Sequence, residues 1–289
     1  MALHFKTLLT RTLTAAVFVA VLLSAVNHSF FSFSVLFVIV AIWGLYEFYQ
    51  IATKLGAKPF AASGYLSALF LLGASFVHNS GLTQLDYTWM YVAGICSGSL
   101  IFFSALFSTR ETPVNDTVYT LAGLIYAVIP FTILLYIPCI DKTIQHSDTL
   151  QFNSSYNNHI IVGLLLLIWA NDSYAYLVGS LVGKRKLLER VSPGKTWEGT
   201  IGAAVLTMAS SLLVAIWFPE VGKTHWIFLS LIVSVIGTLG DLSESLLKRK
   251  AGIKDSGSIM PGHGGILDRF DSLMFISPFA YLYLILVYA

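Results

Sequence analysis

The most informative segment of this sequence runs from Ser243 to Asp271 and reads SESLLKRKAGIKDSGSIMPGHGGILDRFD. It contains five Lys or Arg residues, four carboxylates, one histidine and five glycines, between two strongly apolar stretches. Glycine N–H groups and basic side chains bind phosphate oxygens, whereas carboxylates bind cations. The segment therefore predicts a site for phosphate and metal. A solvated loop that only sets the topology is the alternative.

Outside this segment the chain is dominated by apolar residues. They make up 56% of the sequence, the mean hydropathy is +0.76, and only 11% of the residues are charged. A membrane-spanning helix needs about 20 apolar residues, and so little charge would not cover a soluble surface. We therefore predict an all-α, polytopic integral membrane protein with about nine transmembrane helices. The predicted spans are 12–27, 30–51, 60–78, 88–108, 118–140, 159–183, 200–218, 225–247 and 270–288.

The basic residues fall mainly on one side of these spans. With the N-terminus in the cytoplasm, fifteen of the 17 Lys and Arg residues are cytoplasmic, and only Lys142 and Lys223 are external. This positive-inside bias predicts a cytoplasmic N-terminus. It also predicts that loops 184–199 and 248–269 face the cytoplasm together. We interpret the first apolar run as a retained anchor, because no clear small-x-small site follows it; a cleaved signal peptide is the alternative.

Polar residues divide the chain into two predicted parts. Residues 1–158 form N-terminal transmembrane helices, in which Glu47 is interpreted as a snorkelling or paired carboxylate near a helix end. Residues 159–289 form a catalytic transmembrane region that carries the two basic loops. Polar side chains within membrane helices are costly and are functional candidates by default. Those of the second part are Asn171, Asp172, Asp241 and Glu244.

Helical spacing brings several of these groups to one end of the molecule. Asp241 and Lys248 are seven residues apart and share one helix face. Asp268 and Asp271 open the last helix, where unpaired N–H groups favour anions. Together with Asp172, they predict one cytoplasmic pocket that combines carboxylates from three helices with a phosphate-binding turn.

Loop 184–199, KRKLLERVSPGKTWEG, adds a second basic element. Its GKT at 194–196 is similar to the end of a P-loop, but Glu189 stands where the first glycine is required, and no β-strand is expected before it. We predict instead that Ser192 caps a helix whose first turn begins with proline. Lys195 and neighbouring N–H groups would then contact a nucleotide phosphate. A plain helix start is the alternative.

The long segment resembles the signature of the phosphatidate cytidylyltransferases, also called CDP-diacylglycerol synthases. That signature reads S-x-hydrophobic-K-R, four residues, K-D, a small residue, then P-x-H-G-G, hydrophobic, x-D-R-hydrophobic-D. The one departure is Met260, which stands before the proline where the signature has Leu, Ile or Phe. This substitution is conservative. NDSYAYLVGSLVGK and SPGKTWEG, upstream, are also similar to family segments. The matching residues are Ser245, Lys248, Arg249, Lys254, Asp255, Gly257, Pro261, His263, Gly264, Gly265, Asp268, Arg269 and Asp271.

The resemblance implies a nucleotidyltransferase that converts CTP and phosphatidic acid into CDP-diacylglycerol and pyrophosphate in phospholipid biosynthesis. It implies Mg²⁺ as cofactor and leaves open a second cation such as K⁺. The expected partners are CTP, phosphatidic acid and membrane lipids, without nucleic acid, and a homodimer is left open. The expected location is the inner (plasma) membrane, with the active site on the cytoplasmic side.

The implied Mg²⁺ dependence, taken together with the positions of the charged residues, suggests roles for individual residues. Asp241 and Asp268 are the predicted metal ligands, and Asp271 and Asp172 are further ligands or their supporting partners. The cations expected to neutralise phosphates are Lys248, Arg249, Lys254 and Arg269. The predicted substrate-binding residues are Asn171, Asp172, Ser192, Lys195, His263, Gly264 and Gly265.

Two other functions fit the same features. A secondary transporter also carries carboxylates and broken helices within the membrane, although it more naturally shows repeated discontinuous segments near the midplane. A CTP-dependent lipid kinase would transfer the terminal phosphate to an alcohol, and it would need a base near that hydroxyl.

Overall fold

In a computed structural model, the chain forms a bundle of membrane-length helices. The structure describes residues 5–80, 88–140, 156–259 and 264–288. The helices are α1 (Phe5–His28), α2 (Phe30–Lys54), α3 (Ala61–Asn79), α4 (Thr88–Leu106), α5 (Pro113–Gly123), α6 (Ile129–Leu134), α7 (Asn158–Val182), α8 (Trp197–Trp217), α9 (Lys223–Ile232), α10 (Thr238–Lys250) and α11 (Leu267–Tyr288). Each predicted span coincides with one of these helices or with a continuous pair.

Eight of these segments are long and apolar enough to cross a membrane, within the part of the chain that the structure describes. Thr12–His28 in α1 is a shorter apolar helix. The fold is therefore the predicted all-α polytopic membrane protein. The number of crossings and the cytoplasmic N-terminus stay predictions.

Two of the long segments are continuous helices interrupted by a π-helical turn. Leu124–Val128 joins α5 to α6, directly before Pro130, which has no N–H to donate within the helix. Val233–Gly237 joins α9 to α10, just before Asp241. The second turn directly precedes the polar part of α10. Such π turns occur frequently at functional sites.

An aromatic cluster at the centre of the bundle joins helices from both halves of the chain. Phe37 of α2 lies with its ring centroid 5.8 Å from those of Phe131 and Phe270. Phe18 of α1 meets Phe270 edge-on at 5.7 Å. Since Phe270 is in the first turn of α11, this packing fixes the helix that carries Asp268 and Asp271.

A short hairpin in the second basic loop corrects the predicted helix start. Strand β1 (Lys186–Leu188) pairs antiparallel with β2 (Ser192–Thr196), so Ser192 lies in a strand. The N-cap of α8 is Thr196, whose hydroxyl accepts a hydrogen bond from the Gly199 N–H at 3.1 Å. The expectations of a Ser192 cap and of no strand in this loop were therefore wrong. Glu189 at the required glycine position still excludes a Walker site.

Small residues bring the hairpin and α7 together. A Cβ at Gly199 would lie 2.9 Å from the carbonyl oxygen of Ala175 and from the Cα of Gly179. Helices α7 and α8 therefore pack backbone to backbone at this level, as small residues allow in membranes. This close approach holds β2, with Lys195, beside the polar end of α7.

Candidate active site

Asp268 is the centre of a hydrogen-bond network at the start of α11. Its Oδ1 accepts from Lys248 Nζ at 2.5 Å. Its Oδ2 accepts from the N–H groups of Gly265 and Ser256, at 2.7 and 2.8 Å, and from the Ser256 hydroxyl at 3.0 Å. Both oxygens are therefore occupied by protein donors, and Asp268 shapes the loop between α10 and α11.

Lys248 links this network to the buried face of α10. Its ammonium donates to Glu244 Oε2 at 2.8 Å, one helical turn away, as well as to Asp268. Glu244 is only 1% exposed, and its Oε1 has no hydrogen-bond partner among the described residues. Because a buried lysine between two carboxylates is held in a fixed geometry, Lys248 organises the site rather than extending freely toward solvent.

Glu47, from the first half of the chain, lies under the same loop. It is 2% exposed, its Oε1 accepts from the Ile266 N–H at 2.9 Å, and its Oε2 accepts from the Leu267 N–H at 2.9 Å. Oε2 also accepts from the Ser256 hydroxyl at 2.8 Å. Glu47 is therefore a partnered carboxylate, but its partners are the Ser256 hydroxyl and the backbone N–H groups of Ile266, just before α11, and of Leu267, the first residue of α11. Glu47 and Ile266 are 219 positions apart in the sequence, so no local signal predicted this contact.

Two glycines allow the loop to fold around these carboxylates. Gly264 has a φ of +83°, and a Cβ there would collide with the Asp268 carboxylate. A Cβ at Gly265 would collide with the Ser256 hydroxyl and the Glu47 carboxylate. Contacts within the protein therefore require glycine at both positions.

A cavity of about 350 Å³ lies between α7, β2 and α10. It is lined mainly by polar side chains and is named the polar cavity for that reason. The predicted residues Asp172, Lys195 and Asp241 line it, and the Lys195 ammonium forms an ion pair with the Asp241 carboxylate. The remaining lining includes Asn171, Ser192, Gly194, Thr196, Thr200 and Thr238. The cavity thus combines hydroxyl and amide groups with one cation and two carboxylates.

A second cavity, of about 270 Å³, lies between α1, α7 and the start of α11. Its polar end carries Asp172, Asp268, Arg269 and Asp271. The rest is mainly apolar and comes from α1 and α7; it includes Phe18, Val19, Leu22, Leu165 and Ile168. Asp172 lines both cavities and therefore lies where they meet.

Negative charge is concentrated at this meeting point. The carboxylates of Asp172 and Asp241 are close enough to repel one another, and both also repel Asp271. The positive charges of Lys195 and Arg269 partly offset this repulsion at Asp172. Carboxylates that repel one another beside two cations are an arrangement that a divalent cation and phosphate groups would stabilise.

The donor chemistry fits a hard cation such as Mg²⁺, which prefers carboxylate oxygens and keeps several waters. Asp241 fits best by accessibility, because its side chain is 31% exposed and lines the polar cavity. Asp268 would have to release Lys248 or the loop N–H groups to bind a metal. No group of three or more His, Cys, Asp or Glu residues close enough to hold a metal occurs within the described residues.

Some predicted site residues lie away from the two cavities. Arg249 is exposed and donates to the Ile253 carbonyl at 3.3 Å, and Lys254 is also exposed; neither lines either cavity. His263 falls outside the described residues, so its role stays a prediction. The other predicted residues lie in the network around Asp268 or in the lining of the two cavities.

Comparison with known proteins points to one family. A sequence model described as the Cytidylyltransferase family matches residues 9–287. A Bacillus subtilis (strain 168) protein named phosphatidate cytidylyltransferase is 36% identical over 210 residues, which cover 71% of this chain and 74% of that protein. A Staphylococcus aureus (strain COL) protein of the same name is 48% identical over 122 residues, which cover 42% of this chain and 46% of that protein. The chain therefore matches less than half of the length of the staphylococcal relative.

Proposed function

Because this chain belongs to the cytidylyltransferase family, we propose that it is a phosphatidate cytidylyltransferase. It transfers CMP from CTP to phosphatidic acid and releases pyrophosphate. The observation that carries this proposal is the pair of cavities that meet at Asp172. One is lined mainly by polar side chains and the other mainly by apolar side chains with a charged end, as a water-soluble nucleotide and an anionic lipid require.

The polar cavity is the proposed binding site for CTP. Lys195 would neutralise a phosphate, and the threonine hydroxyls and the Asn171 amide can hydrogen-bond to the nucleotide. Helix α10 supplies Asp241 from the opposite wall. Since Lys195 is paired with Asp241 in the structure, binding of a triphosphate would exchange that partner for phosphate oxygens.

The mainly apolar cavity is the proposed binding site for phosphatidic acid. Arg269 at its polar end would pair with the lipid phosphate, while side chains of α1 and α7 contact the glycerol and the acyl chains. An adjoining groove of about 260 Å³ between α1 and α2 shares Phe18, Leu22 and Phe270 with this cavity and is almost entirely apolar. Acyl chains could therefore extend from the site toward the membrane.

The chemistry needs positioning and charge neutralisation rather than activation of a nucleophile. A phosphate oxygen of phosphatidic acid attacks the α-phosphorus of CTP, a new P–O bond forms, and the bond to the β-phosphate oxygen breaks. Pyrophosphate leaves with the electron pair. Phosphatidic acid is already an anion, so no general base has to remove a proton. Lys195 and Arg269 would hold the two polyanions side by side.

We also propose that Mg²⁺ is required, as the acidic meeting point of the cavities suggests. Asp241 would hold it, and Asp172 and Asp271 would act through water-mediated contacts, because the described carboxylates do not form a group of three close enough to bind a metal together. Asp268 stays a predicted ligand that must first exchange a protein donor. When bound, the ion would neutralise charge on the α-phosphate and the leaving pyrophosphate. A second cation such as K⁺ stays a prediction without assigned ligands.

The proposed location is the bacterial plasma membrane, with both cavities open to the cytoplasmic side. Support comes from the membrane-length helices, the bacterial relatives and the distribution of Lys and Arg residues.

Product analysis tests the proposed reaction against both alternatives. Purified protein in detergent, supplied with CTP, phosphatidic acid and Mg²⁺, should form CDP-diacylglycerol and pyrophosphate in equal amounts, and only when both substrates are present. Diacylglycerol in place of phosphatidic acid should give no product. Formation of CDP and a newly phosphorylated lipid would instead identify a kinase. No turnover by folded protein under any of these conditions would reject the proposal.

A further inference from the structure

Glu47 has no role in the proposed chemistry. Among the described residues up to 158, it is the buried carboxylate that accepts the most hydrogen bonds. We propose that Glu47 is a positioning residue: its carboxylate sets the position of the loop and helix start that carry Asp268 and Arg269. The kinetic part of this inference rests on the proposed function. The structural part does not.

The Glu47 carboxylate suits the start of a helix. The first N–H groups of an α-helix have no partner within the helix. Glu47 supplies acceptors for those of Ile266 and Leu267, at 2.9 Å each, and its negative charge favours the positive end of α11. It thus caps α11 from a different helix, while Asp268 accepts from Gly265 within the same turn.

Glu47 and Asp268 contact the same residue, Ser256, from two sides. The Ser256 hydroxyl lies 2.8 Å from Glu47 Oε2 and 3.0 Å from Asp268 Oδ2. Asp268 in turn binds Lys248. A displacement of Glu47 therefore reaches the cavity wall through one hydroxyl and two backbone amides.

The Glu47 carboxylate fills the space beside Gly257 and Gly265. A Cβ at Gly257 would collide with its carboxylate and would lie 2.9 Å from Glu47 Cδ. A Cβ at Gly265 would collide with the same carboxylate. The glycines of this loop are therefore required in part because a buried side chain from α2 reaches under the backbone.

Glu47→Gln is the sharpest test, because it keeps the shape while it removes the negative charge and replaces one acceptor oxygen with an NH₂ group. Oε1 and Oε2 each accept from a backbone N–H, so either orientation of the glutamine amide places an NH₂ group against an N–H donor. We expect kcat per folded molecule to fall roughly a hundredfold, as small displacements of reacting groups can cause. The KM for CTP should change much less.

Tyr49→Phe provides the matched control in the same helix. It removes a buried hydrogen bond from the Tyr49 hydroxyl to the Thr120 carbonyl, 3.2 Å long, that does not involve the loop. It should leave kcat unchanged. A wild-type kcat in folded Glu47→Gln, or an equal loss in Tyr49→Phe, would overturn the positioning role.

Hydrogen exchange gives a readout that needs no catalytic activity. In Glu47→Gln the amides of Ile266 and Leu267 should exchange faster, while those in the middle of α11 keep their protection. Unchanged exchange at both amides would overturn the inference. If the wild-type protein fails to turn over CTP and phosphatidic acid, the proposed function fails, and this measurement still decides the structural role.

Gly257→Ala reaches the same carboxylate from the loop side without removing a buried charge, in case Glu47→Gln does not fold. Its added methyl group should displace the Glu47 side chain, lower kcat and accelerate exchange at Ile266 and Leu267. Wild-type values for all of these in Gly257→Ala would contradict the inference.

Discussion

At the scale of single residues, the two aspartates predicted to bind metal have different surroundings. Asp241 is partly exposed, faces a cavity and has one charged partner, Lys195. Asp268 has a side chain only 8% exposed and accepts from Lys248 and from the loop backbone. The sequence predicted both as functional from their types and spacing. It could not separate a cavity-facing carboxylate from one occupied by protein donors.

The substitutions Asp241→Asn and Asp268→Asn should therefore have different effects. Asp241→Asn should fold normally and lose at least about a hundredfold in rate, because it removes an anionic ligand from the site of charge neutralisation. Asp268→Asn should also lower the free energy of unfolding, by roughly 1–3 kcal/mol, because Lys248 loses one of its two charged partners and keeps only Glu244.

Two measurements distinguish these two substitutions. One is the specific activity of purified, monodisperse variants across a Mg²⁺ titration, and the other is their thermal unfolding. Asp255→Asn is the control, since this exposed carboxylate in the same loop lines neither cavity. Parent rates and parent Mg²⁺ dependence in both variants would show that the metal assignment is wrong.

At the scale of elements, the long helices were predictable and the short hairpin was not. A span of about 20 apolar residues has few alternatives in a membrane, so the helix positions followed from composition. The hairpin is polar and depends on cross-strand pairing and on Glu198. Its carboxylate accepts from the N–H groups of Lys184 and Arg185, at 3.0 and 3.1 Å. Such contacts leave no periodic pattern, and a serine followed by proline resembled a helix cap.

The turn that begins α11 gives a prediction at this scale. Replacing Gly264 or Gly265 with valine should abolish turnover, because the first requires a positive φ and both side chains would meet carboxylates. Gly98→Ala in α4 is the control, since a Cβ there meets no atom within 4 Å. The measurement is activity per folded molecule, with folding judged by size-exclusion chromatography. Near-normal activity in both valine variants would show that the turn is only a linker.

At the scale of the whole molecule, the predicted division at residue 158 describes where the polar sequence lies, but the site draws on both parts. Glu47 supports the start of α11, and Phe18 and Leu22 of α1 line the mainly apolar cavity. Contacts across so many residues depend on how the helices pack. The sequence showed which half carries the charged groups, and it could not show which apolar helices complete the site.

The orientation of the whole bundle is open to a direct test. Cysteines introduced at Glu189 and Ser258, both exposed, should be protected from an impermeant thiol reagent added outside intact cells. Ser258 is the better position in its loop because Ser256 is buried. The background should lack Cys96 and Cys139. Labelling at both positions without permeabilisation would show the opposite orientation, with the proposed active site on the outside.

Isotopic labelling shows directly whether the α-phosphorus of CTP is transferred to a lipid phosphate. Purified protein is incubated with phosphatidic acid, Mg²⁺ and CTP that carries ³²P at either the α or the γ position, with Asp241→Asn as the control. We expect the α label to enter the lipid fraction and the γ label to appear only in pyrophosphate. Transfer of the γ label to lipid, with the α label retained in CDP, would contradict this expectation.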